Sequence, residues 1–274
     1  MRKPNFLVIG AQKSGTTWLH RFFSGHPDIY MPEKPKELMY FDVERNFRKR
    51  TLDDYLAHFE PATLETAIGE ATPGYLWCSP EHSQWGGVSE FRTRIPMRVQ
   101  EALGPNIKLV AVLRNPIDRA LSAFLHHRKK GRIQPDASIR CHLDRSGIIH
   151  MGFYGAHLAR WAEVFSKKNF IVRTYESLFS DPATLDSIQA FLGVKPRPAG
   201  ELSSQRIHKG FGFKRSEQGA ADSEGRRIAT AEDIDILKKA FAPDTKRLAR
   251  EWDIDLEPWM LEPGADDRIS KAGS

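Results

Sequence analysis

Apolar residues along the chain fall into two alternating patterns. Short runs without in/out alternation occur at 5–10 (NFLVIG), 66–70 (TAIGE), 107–113 (IKLVAVL) and 169–174 (NFIVRT). Strands of this kind belong to a sheet covered on both faces. Helical periodicity recurs at 16–24, 51–59, 96–103, 116–130, 154–165, 182–191 and 231–251. Strand–helix–strand order predicts an α/β fold: a three-layer parallel sheet flanked by helices, with ligands at the strand carboxyl ends. No internal repeat is visible, and the chain reads as one domain. The stretch 195–229 is rich in Gly, Ser, Pro and charge and reads as a long loop, which in a compact domain points to a functional or mobile segment.

The first strand breaks into AQKSGTT. This nearly fits the nucleotide-binding pattern G-x-x-x-x-G-K-[ST], with Gly10 and Gly15 as its glycines and Thr17 as its hydroxyl. Thr16 stands where that pattern needs lysine, and the loop's own lysine, Lys13, comes three residues earlier. Glycines let backbone N–H groups turn inward, and a helix starting near Gly15 adds its positive dipole end, so the loop still suits an anion. Taken alone, it is explained equally well by a tight turn with a solvated Lys13. Its place between an apolar strand and the amphipathic run Trp18, Leu19, Phe22, Phe23 favours the anion site.

A second segment, VAVLRNPIDRALSAFLHHRKKGR (110–132), has its helix start marked by Asn115 as cap, Pro116 at the first position and Asp118 three residues past the cap. Arg114 therefore lies at a strand's carboxyl end, on the same edge as the glycine loop. Ile117, Leu121 and Phe124 form an apolar stripe, while Asp118, Ser122 and His126 recur every four residues along another. A solvated face accounts for that polar stripe too. Arg114 with Ser122 offers more, because a guanidinium fork and a neutral donor together suit a second phosphate.

Composition narrows the partners. At 274 residues and 40% hydrophobic content, the chain can bury a large core, and its formal net charge of +6 suits anionic ligands. Cys78 and Cys141 form neither a disulfide framework nor a metal site. The scattered basic clusters lack the aromatic interleaving of a nucleic-acid surface. With no long apolar run and no room for a signal peptide before the first strand, the expectation is a cytoplasmic protein without membrane insertion.

Two anion sites on one sheet edge meet the needs of a nucleotide phosphorylated at both ends. AQKSGTTWL resembles the 5′-phosphosulfate loop of sulfotransferases that use 3′-phosphoadenylyl sulfate (PAPS), and LRNPIDRALSAF resembles their 3′-phosphate motif. The likeness is to the carbohydrate-type branch, notably the sulfotransferase domain of heparan sulfate N-deacetylase/N-sulfotransferases. It extends through KELMYFD (36–42), MGFYGAHLARW (151–161), FLGV (191–194) and HKGFG (208–212), from residue 5 to about 230. The resemblance implies that Lys13, Ser14, Gly15, Thr16, Thr17 and Trp18 hold the 5′-phosphosulfate, and that Arg114 and Ser122 hold the 3′-phosphate. It assigns adenine stacking to Phe211 and closure over the 3′-phosphate to Gly225, Arg226 and Arg227. The chain departs from the pattern at Gly212, where the relative has Trp, and at Glu224, where it has Lys.

The same resemblance makes Glu37 the base that withdraws the acceptor's proton, with His126 as a second candidate and Lys13 acting on the bridging oxygen. The implied reaction is in-line displacement at sulfur, releasing adenosine 3′,5′-bisphosphate. It needs no metal, because a sulfuryl group carries less charge than a phosphoryl group. A glycan, a phenol or another natural product fits the aromatics and cations at 38–50, at 72–85 and around Phe153 and Tyr154 equally well. The competing readings are a P-loop kinase or hydrolase, which Thr16 disfavours, and a non-catalytic nucleotide-binding module, which would have lost Lys13 or its base. Oligomeric state leaves no mark on the sequence.

Overall fold

The computed structural model describes residues 2–200, 213–216 and 218–260. In chain order the elements are β1 (Phe6–Gly10), α1 (Thr16–Ser24), β2 (Ile29–Tyr30), α2 (Glu44–Lys49), α3 (Leu52–Leu56), β3 (Ala67–Ala71), α4 (Glu90–Thr93) and α5 (Ile95–Leu103). They continue with β4 (Lys108–Leu113), α6 (Pro116–Lys129), α7 (Tyr154–Ala162), β5 (Phe170–Thr174), α8 (Tyr175–Ser180) and α9 (Pro182–Leu192). The described chain closes with β6 (Phe213–Ser216), β7 (Gly219–Asp222), β8 (Arg227–Thr230), α10 (Ala231–Trp252) and α11 (Glu257–Met260).

Strands β2-β3-β1-β4-β5 form one sheet in which every pairing is parallel. This confirms the expected α/β class. Alternate residues serve opposite faces: Leu7, Ile9, Leu109 and Ala111 join the cluster under α3, α5 and α7, while Phe6, Val8, Val110 and Val112 join the one under α1 and α9. Two buried faces explain why the strands read as uninterrupted apolar runs. The register of β1 on β4 shifts between Val8 and Gly10, so β1 carries one extra residue just before its glycine loop.

The segment expected to be a long loop is in part a sheet. From residue 213, strands β6-β7-β8 form an antiparallel meander. Its sequences, FKRS, GAAD and RIAT, are short and poor in branched or aromatic residues, so propensity does not mark them. They are held by docking instead: Ala220, Ile228 and Ala229 pack with Leu121 and Phe124 of α6 and Phe241 of α10. Arg215 pairs with Asp118 at 3.4 Å, and Arg128 with Asp222 at 3.4 Å. Phe153 and Tyr154, two candidates for an acceptor cleft, are core residues at 0% and 1% exposure.

Candidate functional site

The carboxyl ends of β1, β3, β4 and β5 share one edge, which brings together the glycine loop, Glu70, Arg114 and Tyr175. At α1 the N-cap is Gly15, at φ 83°, with no side-chain cap and no acidic residue in the first turn. The left-handed φ favours glycine, and a side chain there would also meet the Tyr175 ring at 3.1 Å. Leu19 N makes the first intrahelical bond, to Gly15 O at 3.1 Å. The amides of Thr16 and Thr17 precede it and point out along the helix axis. Ser14 Oγ and Tyr154 Oη are buried beside this loop, and neither completes a hydrogen bond of ordinary geometry. Burial pushes the Tyr154 phenol up to about 12, with the Arg119 charge and the Ser14 hydroxyl pulling the other way.

Cations converge on the loop. Burial lowers the Lys13 ammonium, and the charges of Arg114 and Arg119 lower it further. Arg119 is fully buried and is pushed down to about 10, chiefly by burial, with Arg114 adding repulsion. Its Nη2 donates to Gly147 O at 3.2 Å and to Ile148 O, while Nε and Nη1 have no partner among the described residues. Arg114 lies 5.0 Å from the Tyr175 ring centre and 5.8 Å from that of Phe213. Tyr175 therefore touches both predicted anion sites, lying against Gly15 and under Arg114. Glu176, raised by burial and lowered by Arg114 among others, accepts from Asn115 N at 3.3 Å and from Trp259 Nε1 at 3.0 Å.

Asn115 caps α6 through Oδ1, accepting from Ile117 N at 3.0 Å and Asp118 N at 3.4 Å, as its position predicts. Ser122 is 2% exposed on that helix, one turn before His126. Burial pushes His126 down to about 4, and Lys13 is the largest of the charges that add to this, ahead of His127, Lys130 and Arg132. His126 thus senses the glycine loop. The Trp18 indole is in the core, 5.7 Å from the Phe22 ring and 5.1 Å from that of Phe179.

Glu37 lies in the segment between β2 and α2, half-exposed and paired with its neighbour Lys36 at 3.1 Å. Its charge is felt by His20 and Asp42. Gly225, at φ 78°, lies within the β7–β8 turn, in which Arg226 pairs with Asp222 at 2.8 Å and Glu224 at 2.9 Å, while Arg227 is exposed. Phe211 lies outside the described residues; among the described residues, Tyr175 and Phe213 are the aromatics against Arg114. Sequence reasoning missed Tyr175, Arg119, Phe213 and Glu70. Of these, Glu70 left a signal, as a single acid inside an apolar strand.

A parallel sheet whose first strand opens into an uncapped, cation-ringed helix N-terminus defines the P-loop-like class of α/β proteins. Comparison with known proteins refines this. The sulfotransferase domain model matches residues 3–252, and the chain belongs to the sulfotransferase family. Human bifunctional heparan sulfate N-deacetylase/N-sulfotransferase 3 is 30% identical over 246 residues, which cover 82% of this chain and 26% of that protein. Human heparan sulfate glucosamine 3-O-sulfotransferase 6 is 30% identical over 234 residues, 80% of this chain and 61% of that protein. The chain thus spans about a quarter of the bifunctional relative and under two thirds of the other. A crystal structure of a sulfotransferase from Alicyclobacillus acidocaldarius superimposes with a TM-score of 0.69 at 26% identity, covering 95% of this chain and all of the other. The resemblance to the carbohydrate-type branch is borne out by these relatives.

Proposed function

We propose that this enzyme moves the sulfuryl group of PAPS to a hydroxyl or amine of a carbohydrate by in-line displacement, releasing adenosine 3′,5′-bisphosphate. The observation that carries the reading is the α1 N-terminus, where uncapped amides and the buried Ser14 Oγ lie among Lys13, Arg114 and Arg119. These residues fit an anion rich in acceptor oxygens. Bound PAPS would supply an activated sulfuryl group on a good phosphate leaving group.

In this mechanism the amides of Gly15, Thr16 and Thr17, with Ser14 Oγ, hold the 5′-phosphosulfate, and Trp18 fixes the helix start by packing its indole inward. Lys13 neutralises charge growing on the leaving oxygen. Arg114, propped on Tyr175, and Ser122 receive the 3′-phosphate. Phe211 stacks on the adenine, and Gly225, Arg226 and Arg227 close over the 3′-phosphate. Glu37 takes the acceptor's proton. His126, neutral because it is held near 4, is the second candidate for that role. A carbohydrate acceptor is supported by the heparan sulfate relatives. The proposal includes a metal-free reaction and a cytoplasmic location, testable by activity in chelator and by cell fractionation.

The central test measures binding of PAPS, adenosine 3′,5′-bisphosphate and ATP to the wild type and to Lys13→Ala and Arg114→Ala. Each substitution should weaken bisphosphate binding by about tenfold or more, the scale of a lost charge-assisted contact. Tighter binding of ATP with Mg²⁺, and indifference to the 3′-phosphate, would overturn the reading in favour of a kinase or hydrolase. Glu37→Gln should keep bisphosphate affinity and lose about 10²-fold or more in turnover. Near-normal turnover would move the base elsewhere.

A further inference from the structure

Glu70 is the only ionisable residue of the apolar strand β3, is 1% exposed and stands at the strand's carboxyl end. Its Oε2 accepts from Thr72 Oγ1 at 2.7 Å, and its Oε1 accepts from Tyr75 Oη at 2.7 Å and Tyr55 Oη at 3.4 Å. Two of these hydroxyls carry a second bond. Thr72 Oγ1 accepts from Met39 N at 3.2 Å, and Tyr75 Oη accepts from Tyr40 N at 3.2 Å. Because both hydroxyl protons are committed to the carboxylate, their lone pairs are turned toward those two amides.

The amides belong to the residues two and three positions after Glu37. Met39 there has a φ of 48°, a conformation its own side chain does not favour, so the segment depends on bonds from outside to keep its course. Leu38 and Phe41 are buried on either side. We propose that Glu70 is a positioning residue which, through the hydroxyls of Thr72 and Tyr75, holds residues 38–40 in place and thereby sets where the Glu37 carboxylate stands. The inference rests on the reading of Glu37 as the base. Glu70 itself is ill suited to that role, since it is enclosed and both its oxygens are occupied. Burial pushes its carboxyl up to about 7, against the pull of the Tyr75, Thr72 and Tyr55 hydroxyls, while Asp42 adds repulsion.

The test compares Thr72→Val and Tyr75→Phe, which remove one bridge each, with Tyr55→Phe, whose hydroxyl touches Glu70 without bridging to the Glu37 segment. Turnover is measured on the full chain with radiolabelled PAPS and de-N-sulfated heparin. Bisphosphate affinity and hydrogen exchange of a peptide spanning 36–41 are measured alongside. The two bridge variants should lose about tenfold or more in kcat, as expected for a displaced reacting group. They should also exchange faster at 36–41 and bind bisphosphate as the wild type does; Tyr55→Phe should do none of this. In a Glu37→Gln background the further loss in kcat should vanish, because the bridges act through Glu37. Wild-type kcat and exchange in both bridge variants, or an equal further loss in the Glu37→Gln background, would overturn the proposal. Should Glu37→Gln itself be fully active, the base reading fails instead, and exchange at 36–41 still decides whether the hydroxyl bridges hold the segment.

Discussion

At the scale of single residues, the glycine loop is a place where cations crowd together. Burial together with the charges of Arg114 and Arg119 lowers Lys13, burial and Arg114 lower Arg119, and His126 is drawn into the same field. A bound bisphosphate changes the sign of that field. Without ligand, His126 titrates at about 4, so it is neutral across the physiological range. With adenosine 3′,5′-bisphosphate bound, the phosphates offset Lys13, the imidazolium becomes easier to form, and binding takes up protons at mildly acidic pH. NMR titration of the histidine ring with and without the bisphosphate checks this; an unchanged or lowered pKa on binding would contradict it. Buried Arg119 shows where sequence reasoning stops. It lies in the same motif as Arg114 and Ser122, yet only the fold reveals that no acid among the described residues pairs with it.

At the scale of elements, helix ends decide how far the pattern could be read. Asn115 and Pro116 mark the start of α6, and the apolar runs mark four strands to within a residue, because two-sided burial and capping leave local traces. The meander β6–β8 left none, since its strands depend on α6 and α10 rather than on their own side chains. The Glu37 segment was legible as a motif, whereas its support was not: the bridge from Glu70 through Thr72 and Tyr75 joins residues that no local spacing relates. A similar long-range device starts α7. Asp244 of α10 accepts from Gly155 N and Ala156 N, both at 2.8 Å, and so caps a helix whose own N-cap side chain makes no bond. Asp244→Ala should cost about 1–3 kcal/mol, since it leaves two buried amides without acceptors. Urea unfolding reads the loss, and a change below about 0.5 kcal/mol would show that Asp244 does not cap α7.

At the scale of the whole molecule, two buried groups give stability opposite dependences on pH. His157 accepts from Ser79 N at 3.0 Å, bonds His150 O at 3.0 Å and is held near 3 by burial, well below its unfolded value of 6.5. Its contribution is present above 6.5 and is lost as pH falls toward 3. Glu70 is raised from 4.5 to about 7, so its contribution is present below 4.5 and is lost as pH rises through 7. The stability advantage of the wild type over His157→Gln should therefore shrink from pH 7 to 5, while its advantage over Glu70→Gln should grow over the same interval. Thermal unfolding at both pH values checks the two signs, and parallel trends would refute the assignment. The ring of Tyr175, wedged between Gly15 and Arg114, carries a consequence of another kind. The ring and its two partners come from the later, first and middle parts of the chain, so the proposed nucleotide pocket has no local precursor. A nascent chain that has already emitted the entire glycine loop still presents no binding site, and donor binding becomes a report that the last parallel strand has docked.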